Sequence, residues 1–196
     1  MSASAGLRAA WKNAHAPVAG VPAAARIAAY TIPLLVLPSS IWRITTVTVF
    51  HIGADAESAG DVPSWLPMEV YVVLLSILSE LLAFTAIGLI ARWGEVVPRW
   101  IPGLAGRRIP VPAVVVPGFL GAAALTFLCA LVTVTSAVGV DVRGRPLSSD
   151  APLHTDSVHG VLTLVSYLPL LFWGPLLGFV TVAYWRRRTQ VLSDAS

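Results

Sequence analysis

Two carboxylates, Glu69 and Glu80, interrupt the apolar run from Ser64 to Arg92. Eleven residues advance an α-helix by about three turns, so Glu69, Ser76 and Glu80 share one face of a helix over this run. A charged side chain near the middle of a bilayer costs about 2.5 to 3.5 kcal/mol on insertion scales, and such residues commonly serve a function. Glu80 and Glu69 are therefore the candidate general acids. A neutral Glu80 that only holds helices together is the structural alternative.

A second interpretation of Glu80 depends on Arg43 in the preceding apolar run. A flexible arginine on a neighbouring antiparallel helix can reach a carboxylate from about a turn away. If the two side chains pair, Glu80 is ionised and its role is structural. If they do not, apolar surroundings favour the neutral acid, which can donate a proton.

Groups that could act as a base collect at the start of the last apolar run, where the sequence reads HTDSVHG. Asp156 and His159 are the candidate bases. A metal site would need His154 as well, with His51 as a further ligand, but this spacing matches no established zinc pattern. The sequence also lacks GxSxG, GxxxxGK and HExxH motifs, so we expect no metal and no cofactor.

Aromatic side chains in the apolar runs are the candidate lining of a substrate cavity, because aromatic faces stabilise cations. Isolated acids with aromatic walls suit proton-initiated cyclisation of a polyprenyl chain. An acid protonates an alkene or epoxide, the rings shield the carbocation, and a base removes a proton at the end. Helix packing and interfacial placement are the alternatives for each ring. The candidate substrate-binding residues are Trp42, Arg43, Tyr71, Phe84, Tyr167 and Trp173.

The composition indicates a membrane protein. Of the 196 residues 56% are hydrophobic and only 12% are charged, whereas soluble domains carry about 25% charged residues. The single cysteine, Cys129, excludes an intramolecular disulfide. The net charge of +3 has a topological explanation, so nucleic acid is not an expected partner.

The elements that must position these side chains are four long apolar runs, each long enough to cross the bilayer as a helix. We expect an all-α fold, a four-transmembrane-helix bundle, between a flexible tail and a basic tail. The predicted tails are residues 1–26 and 186–196, and the predicted helices are residues 27–51, 64–92, 113–140 and 158–185.

The arginines predict the orientation of these helices. Ten basic residues fall on one side of the predicted membrane, whereas only Arg143 and Arg145 fall on the other. Because cytoplasmic loops are enriched in basic residues, we expect both termini and the central loop in the cytoplasm. The chain is then a multi-pass protein of the cell membrane with up-down-up-down topology.

Three segments carry a resemblance to known proteins: IPLLVLPSSIWRI, LLSILSELLAF and RWGEVVPRWIPGLAGRRIPVP. They resemble a family of small four-helix membrane proteins of high-GC actinobacteria, and the likeness covers most of the chain after residue 26. In size, apolarity and embedded carboxylates the chain is also similar, more generally, to small bacterial membrane-integral terpene cyclases of meroterpenoid and indole-sesquiterpenoid pathways.

The second resemblance and the residues favour the same hypothesis, a terpene cyclase of secondary metabolism that acts on a prenylated, lipophilic isoprenoid substrate such as a farnesylated molecule. The alternative is a non-catalytic membrane subunit or small-solute carrier, in which Arg43 and Glu80 form a structural pair. The bilayer is a partner in both, and the oligomeric state stays open.

Overall fold

The computed structural model describes residues 18–50, 65–97, 106–140, 144 and 158–193. Four helical segments in it are long and apolar enough to cross a membrane. The predicted all-α, four-transmembrane-helix fold is confirmed. The spans are Ala23–Thr48, Met68–Gly88, Val111–Ala137 and Val158–Gln190.

Five α-helices make up these spans, because the fourth span contains two of them. They are α1 (Ala23–Thr48), α2 (Met68–Gly88), α3 (Val111–Ala137), α4 (Val158–Tyr167) and α5 (Trp173–Ser193). A short 3₁₀ segment, Leu168–Phe172, joins α4 to α5. It contains Pro169, which lacks the N–H that a continuous α-helix needs at this position. The last apolar run therefore changes from α-helix to 3₁₀-helix at its first proline.

Several helix ends differ from the predicted bounds. The second helix is Met68–Gly88 instead of residues 64–92, and the third is Val111–Ala137 instead of residues 113–140. The largest extensions are at the start of the first helix and at the end of the last. The first helix begins at Ala23 rather than at residue 27, and the Pro22 carbonyl accepts a hydrogen bond from the Arg26 N–H at 3.1 Å. A proline is tolerated just before a first turn, where its missing N–H is not needed. The last helix continues to Ser193, through most of the segment expected to be a basic tail. Arginine is a good helix former, and tertiary contacts hold two of these arginines.

The chain divides into two compact units. Unit 1 comprises Met1–Ile32, Phe84–Ala124 and Gly174–Ser196, and unit 2 comprises Pro33–Ala83 and Leu125–Trp173.

The core of unit 1 is mainly apolar and is packed through small residues. A Cβ atom added to Gly118 in α3 would lie 2.8 Å from the Thr181 Oγ1 of α5, and one added to Gly178 in α5 would lie 3.6 Å from the Ala122 Cβ of α3. Glycine therefore permits the close approach of these two helices. The fully buried side chains of unit 1 include Ile32, Ile90, Val180, Thr181 and Tyr184.

The core of unit 2 is more polar. Ser39 and Ser40 of α1, Ser76 of α2 and Thr163 of α4 are all buried, beside apolar residues such as Val36. Three of these hydroxyls donate to carbonyls of their own helices, which is the usual way to satisfy a hydroxyl in an apolar interior. The interior of unit 2 can therefore accommodate polar chemistry within a membrane-spanning region.

Candidate functional site

A hydrogen bond joins α1 to α4 inside unit 2. The indole Nε1 of Trp42 donates to the Thr163 Oγ1 at 2.9 Å. The same hydroxyl donates to the His159 carbonyl oxygen at 2.9 Å. A threonine hydroxyl has one donor and two acceptor sites, so both bonds form together. They fix the position of Trp42 against the first turns of α4.

Aromatic rings surround His159, the candidate base. The centroid of its imidazole lies 5.0 Å from that of Trp42 and 6.4 Å from that of Phe50, with the Phe50 ring nearly perpendicular. Trp42 and Phe50 themselves lie 6.4 Å apart. Edge-to-face and tilted arrangements at these distances are favourable for aromatic pairs. The three rings thus form a cluster in which the imidazole contacts both Trp42 and Phe50.

Arg43 lies beside Tyr167 of α4, close enough for an electrostatic interaction between the guanidinium and the phenol. Its Nε also donates to the Ser39 carbonyl oxygen of its own helix at 3.4 Å. Within the part of the chain that the structure describes, no ion pair joins Arg43 to Glu80. The contacts of Arg43 therefore run to α1 and α4.

The polar face of α2 is turned into the protein, as the spacing of its carboxylates predicts. Ser76 is buried and Glu69 and Glu80 are half-buried, whereas Leu81 is 60% exposed. The Oε1 atom of Glu80 is buried and, among the described residues, has no hydrogen-bond partner. Buried polar atoms in native proteins almost always have partners, so this carboxyl oxygen on an apolar helix is a candidate binding or catalytic group.

Three other buried polar atoms of unit 2 also lack a partner in the described residues. They are the Oγ of Ser40, the Oγ1 of Thr46 and the Nε1 of Trp173. Ser40, Arg43 and Thr46 are three residues apart along α1, which is close to one helical turn, so they lie near one another on its surface. Besides the Glu80 carboxyl, unit 2 therefore contains two hydroxyls and an indole N–H that are available to a polar group or to water.

Comparison with known proteins does not identify a family for this chain. No family model, curated protein or solved structure matches the chain. The two resemblances seen in the sequence therefore stay predictions.

The other residues that the sequence suggested as site residues lie in different parts of the chain. Trp173 is buried in unit 2, and Tyr71 belongs to the same unit with a partly exposed side chain. Phe84 belongs to unit 1. Asp156 lies outside the described residues, as do His51 and His154 of the possible metal site. The described residues contain no group of three or more His, Cys, Asp or Glu side chains able to hold a metal ion.

Sequence reasoning missed several members of this site. Phe50 and Thr163 contribute through contacts with residues distant in sequence, which no local pattern reveals. Ser40 and Thr46 did have a signal, namely their spacing of one turn on either side of Arg43. A polar stripe around an intramembrane arginine could have singled them out.

Proposed function

We propose that this protein is a membrane-integral terpene cyclase in which the Glu80 carboxyl is the initiating acid. The observation that carries the proposal is the buried Oε1 of Glu80, which has no hydrogen-bond partner in the described part of the chain. No described side chain competes for this oxygen, so it is available to a substrate. In its protonated form, a carboxyl group at this position can give a proton to a lipophilic substrate.

The proposed reaction is an isomerisation that needs no cofactor. The O–H bond of the Glu80 carboxyl breaks, and its proton adds to an alkene or epoxide of a prenyl chain. The π electrons of further alkenes attack the carbocation and form ring C–C bonds. A base then removes a proton from carbon, which leaves an alkene. The base releases this proton to water, and the Glu80 carboxylate takes up one proton from water. Atoms and charge balance across the cycle.

The surroundings of His159 support its role as the terminating base. A cation that reaches the imidazole would lie near the rings of Trp42 and Phe50, and aromatic faces stabilise positive charge. Asp156 is the alternative base, and Glu69 is the alternative acid. The electrostatic influence of Arg43 on Tyr167 indicates that these two polar groups lie in the same region, which supports a role for both in binding the polar head of a prenylated substrate.

The proposal includes the orientation of the chain. Both termini and the central loop lie in the cytoplasm, the helices run up-down-up-down, and the membrane is the cell membrane. The arginine distribution of the sequence supports this orientation. Reporter fusions at the C-terminus test it, because alkaline phosphatase is active only outside the cytoplasm and green fluorescent protein folds within it.

The test of activity is product formation in cells that make the chain and receive a panel of farnesylated small molecules. We expect an isomeric, cyclised product by mass spectrometry from the native chain, and its loss from Glu80→Gln at matched membrane levels. Leu81→Ala is the matched control, because Leu81 is the next residue of α2 and is largely exposed. Glu69→Gln, tested in parallel, identifies which carboxyl is the acid.

The opposite outcome supports the non-catalytic alternative. If the native chain forms no product across the panel and Glu80→Gln mainly lowers protein yield, Glu80 is a structural residue. The chain is then better explained as a membrane subunit or a small-solute carrier.

A further inference from the structure

Unit 1 carries a strong excess of positive charge. Its described residues include seven arginines but only one acidic residue, Glu95. Six of these arginines lie on α5 or on the turn between α2 and α3. We call them the arginine patch, which consists of Arg92, Arg107, Arg108, Arg186, Arg187 and Arg188.

At the centre of the patch one carboxylate contacts two guanidinium groups. The Oε1 of Glu95 lies 2.6 Å from the Nη2 of Arg187, and its Oε2 lies 3.6 Å from the Nη1 of Arg188. The three side chains are only 17%, 10% and 18% exposed, respectively. A charge that is removed from water without full compensation is unfavourable. One positive charge at this centre therefore has no counter-charge from Glu95.

The two guanidinium groups are held in fixed positions. Arg187 also donates to the Leu89 carbonyl oxygen, and Arg188 donates to the Ile109 carbonyl oxygen at 3.1 Å. Both groups lie over the ring of Tyr184, at 5.5 and 5.9 Å from its centroid. The Nε of Arg187 is buried and, in the described part of unit 1, has no hydrogen-bond partner. A preorganised cationic centre with unused donor capacity is suited to binding an anion.

Backbone hydrogen bonds bring two exposed arginines close to the segment that contains Glu95. The Val97 N–H donates to the Arg107 carbonyl oxygen, and the Ile109 N–H donates to the Glu95 carbonyl oxygen. Arg107 and Arg108 therefore lie on the chain segment opposite Glu95, and their side chains are exposed. Arg186, next to the centre, is exposed as well. These three side chains are free to meet a ligand at the surface.

We propose that the arginine patch binds the phosphate headgroup of an anionic membrane lipid. The last membrane span ends at Gln190, so Arg186 to Arg188 lie within its final turns, where lipid headgroups are found. Arginine matches the geometry of phosphate oxygens, and basic segments beside a span attract anionic lipids. This proposal is independent of the proposed enzymatic activity.

The experiment measures lipid retention by the purified full chain, using native mass spectrometry and thermal unfolding. The probes are phosphatidylglycerol, phosphatidylcholine and inorganic phosphate. We expect phosphatidylglycerol to be retained and to stabilise the chain, and the other two to have little effect. The double variant Arg107→Gln/Arg108→Gln leaves the Glu95 contacts in place and should weaken phosphatidylglycerol binding about tenfold or more.

Arg26→Gln is the matched control, because Arg26 is an exposed arginine of the same unit that is not part of the patch. An equal loss in this variant would show diffuse attraction rather than a site, and would overturn the proposal. Equal retention of phosphatidylcholine would overturn it too. If inorganic phosphate stabilises the chain as much as phosphatidylglycerol does, the patch binds a free anion and the lipid proposal is wrong.

Discussion

The Nε1 of Trp42 donates to the Oγ1 of Thr163 across 121 residues of sequence. Because the Thr163 hydroxyl also binds the His159 carbonyl oxygen, the three residues form one connected group. The imidazole of His159 lies against the Trp42 indole within this group. The hydrogen bond thus holds α1 and α4 together at the point where the proposed base is placed.

The first prediction concerns this bond. Trp42→Phe keeps an aromatic ring but removes the donor, so we expect the free energy of unfolding to fall by about 1 kcal/mol. Thr163→Val leaves the indole N–H without an acceptor, and the double variant should lose less than the sum of the two single losses. Thermal unfolding in detergent, followed by circular dichroism, measures these changes. Trp65→Phe, at a residue that is 78% exposed, is the control and should change little.

The second prediction concerns the stability effect of Glu80. Glu80→Met replaces an orphaned buried carboxyl with an apolar side chain of similar length, so we expect stability to rise by about 1 to 2 kcal/mol. The same variant should form no cyclised product. Chemical unfolding of the purified protein gives the first result, and the product assay gives the second. A clear loss of stability would instead indicate that the carboxyl has a structural partner.

The third prediction is that removal of the Glu95 carboxylate lowers stability. Glu95→Gln removes the carboxylate that Arg187 and Arg188 share and leaves two largely buried cations, so we expect a loss of about 3 kcal/mol. The fraction of folded protein recovered from membranes, together with its unfolding temperature, tests this. Arg186→Gln changes an exposed neighbouring arginine and should stay within about 0.5 kcal/mol of the native chain.

The fourth prediction concerns the close approach of α3 and α5 in unit 1. Gly118→Ala places a methyl group 2.8 Å from the Oγ1 and 2.9 Å from the Cγ2 of the fully buried Thr181. We expect this overpacking to lower stability by about 1 to 3 kcal/mol. Thr181→Ala removes both clashing atoms and should restore most of the loss in the double variant.

Gly121→Ala is the control for this pair. A Cβ at Gly121 would meet only the Leu177 Cδ2 at 3.6 Å, which is an ordinary contact. Alanine is also the better helix former, so this variant should be neutral or slightly stabilised. Equal destabilisation by the two alanine variants would show that the Thr181 contact does not limit the packing.

The fold could be predicted because its main signal is local. Four apolar runs of sufficient length specify four membrane-spanning helices, and prolines mark where the last one bends. The end of α5 could not be predicted, because its last turns are held by contacts with Glu95 and Ile109. Basic residues at the end of an apolar run look like a tail unless their partners are known.

The candidate site was predictable in its residue types but not in its contacts. Helical spacing correctly placed Ser76 and Glu80 on the buried face of α2. Charge complementarity left open whether Arg43 pairs with Glu80, and among the described residues no ion pair joins them. A sequence shows which charges are available on neighbouring helices, but the choice among partners depends on the rotation of each helix about its own axis.

The contact between Arg187 and Glu95 also has a consequence for the order of folding. The two residues are 92 positions apart, so the turn after α2 emerges from the ribosome long before the arginine that secures it. Contacts of high sequence separation form late, and an unfinished segment is exposed to proteases and to aggregation until they do. Completion of α5 is therefore the step that gives this turn its final structure. In nascent chains arrested before Arg187, we expect the turn after α2 to be sensitive to proteases.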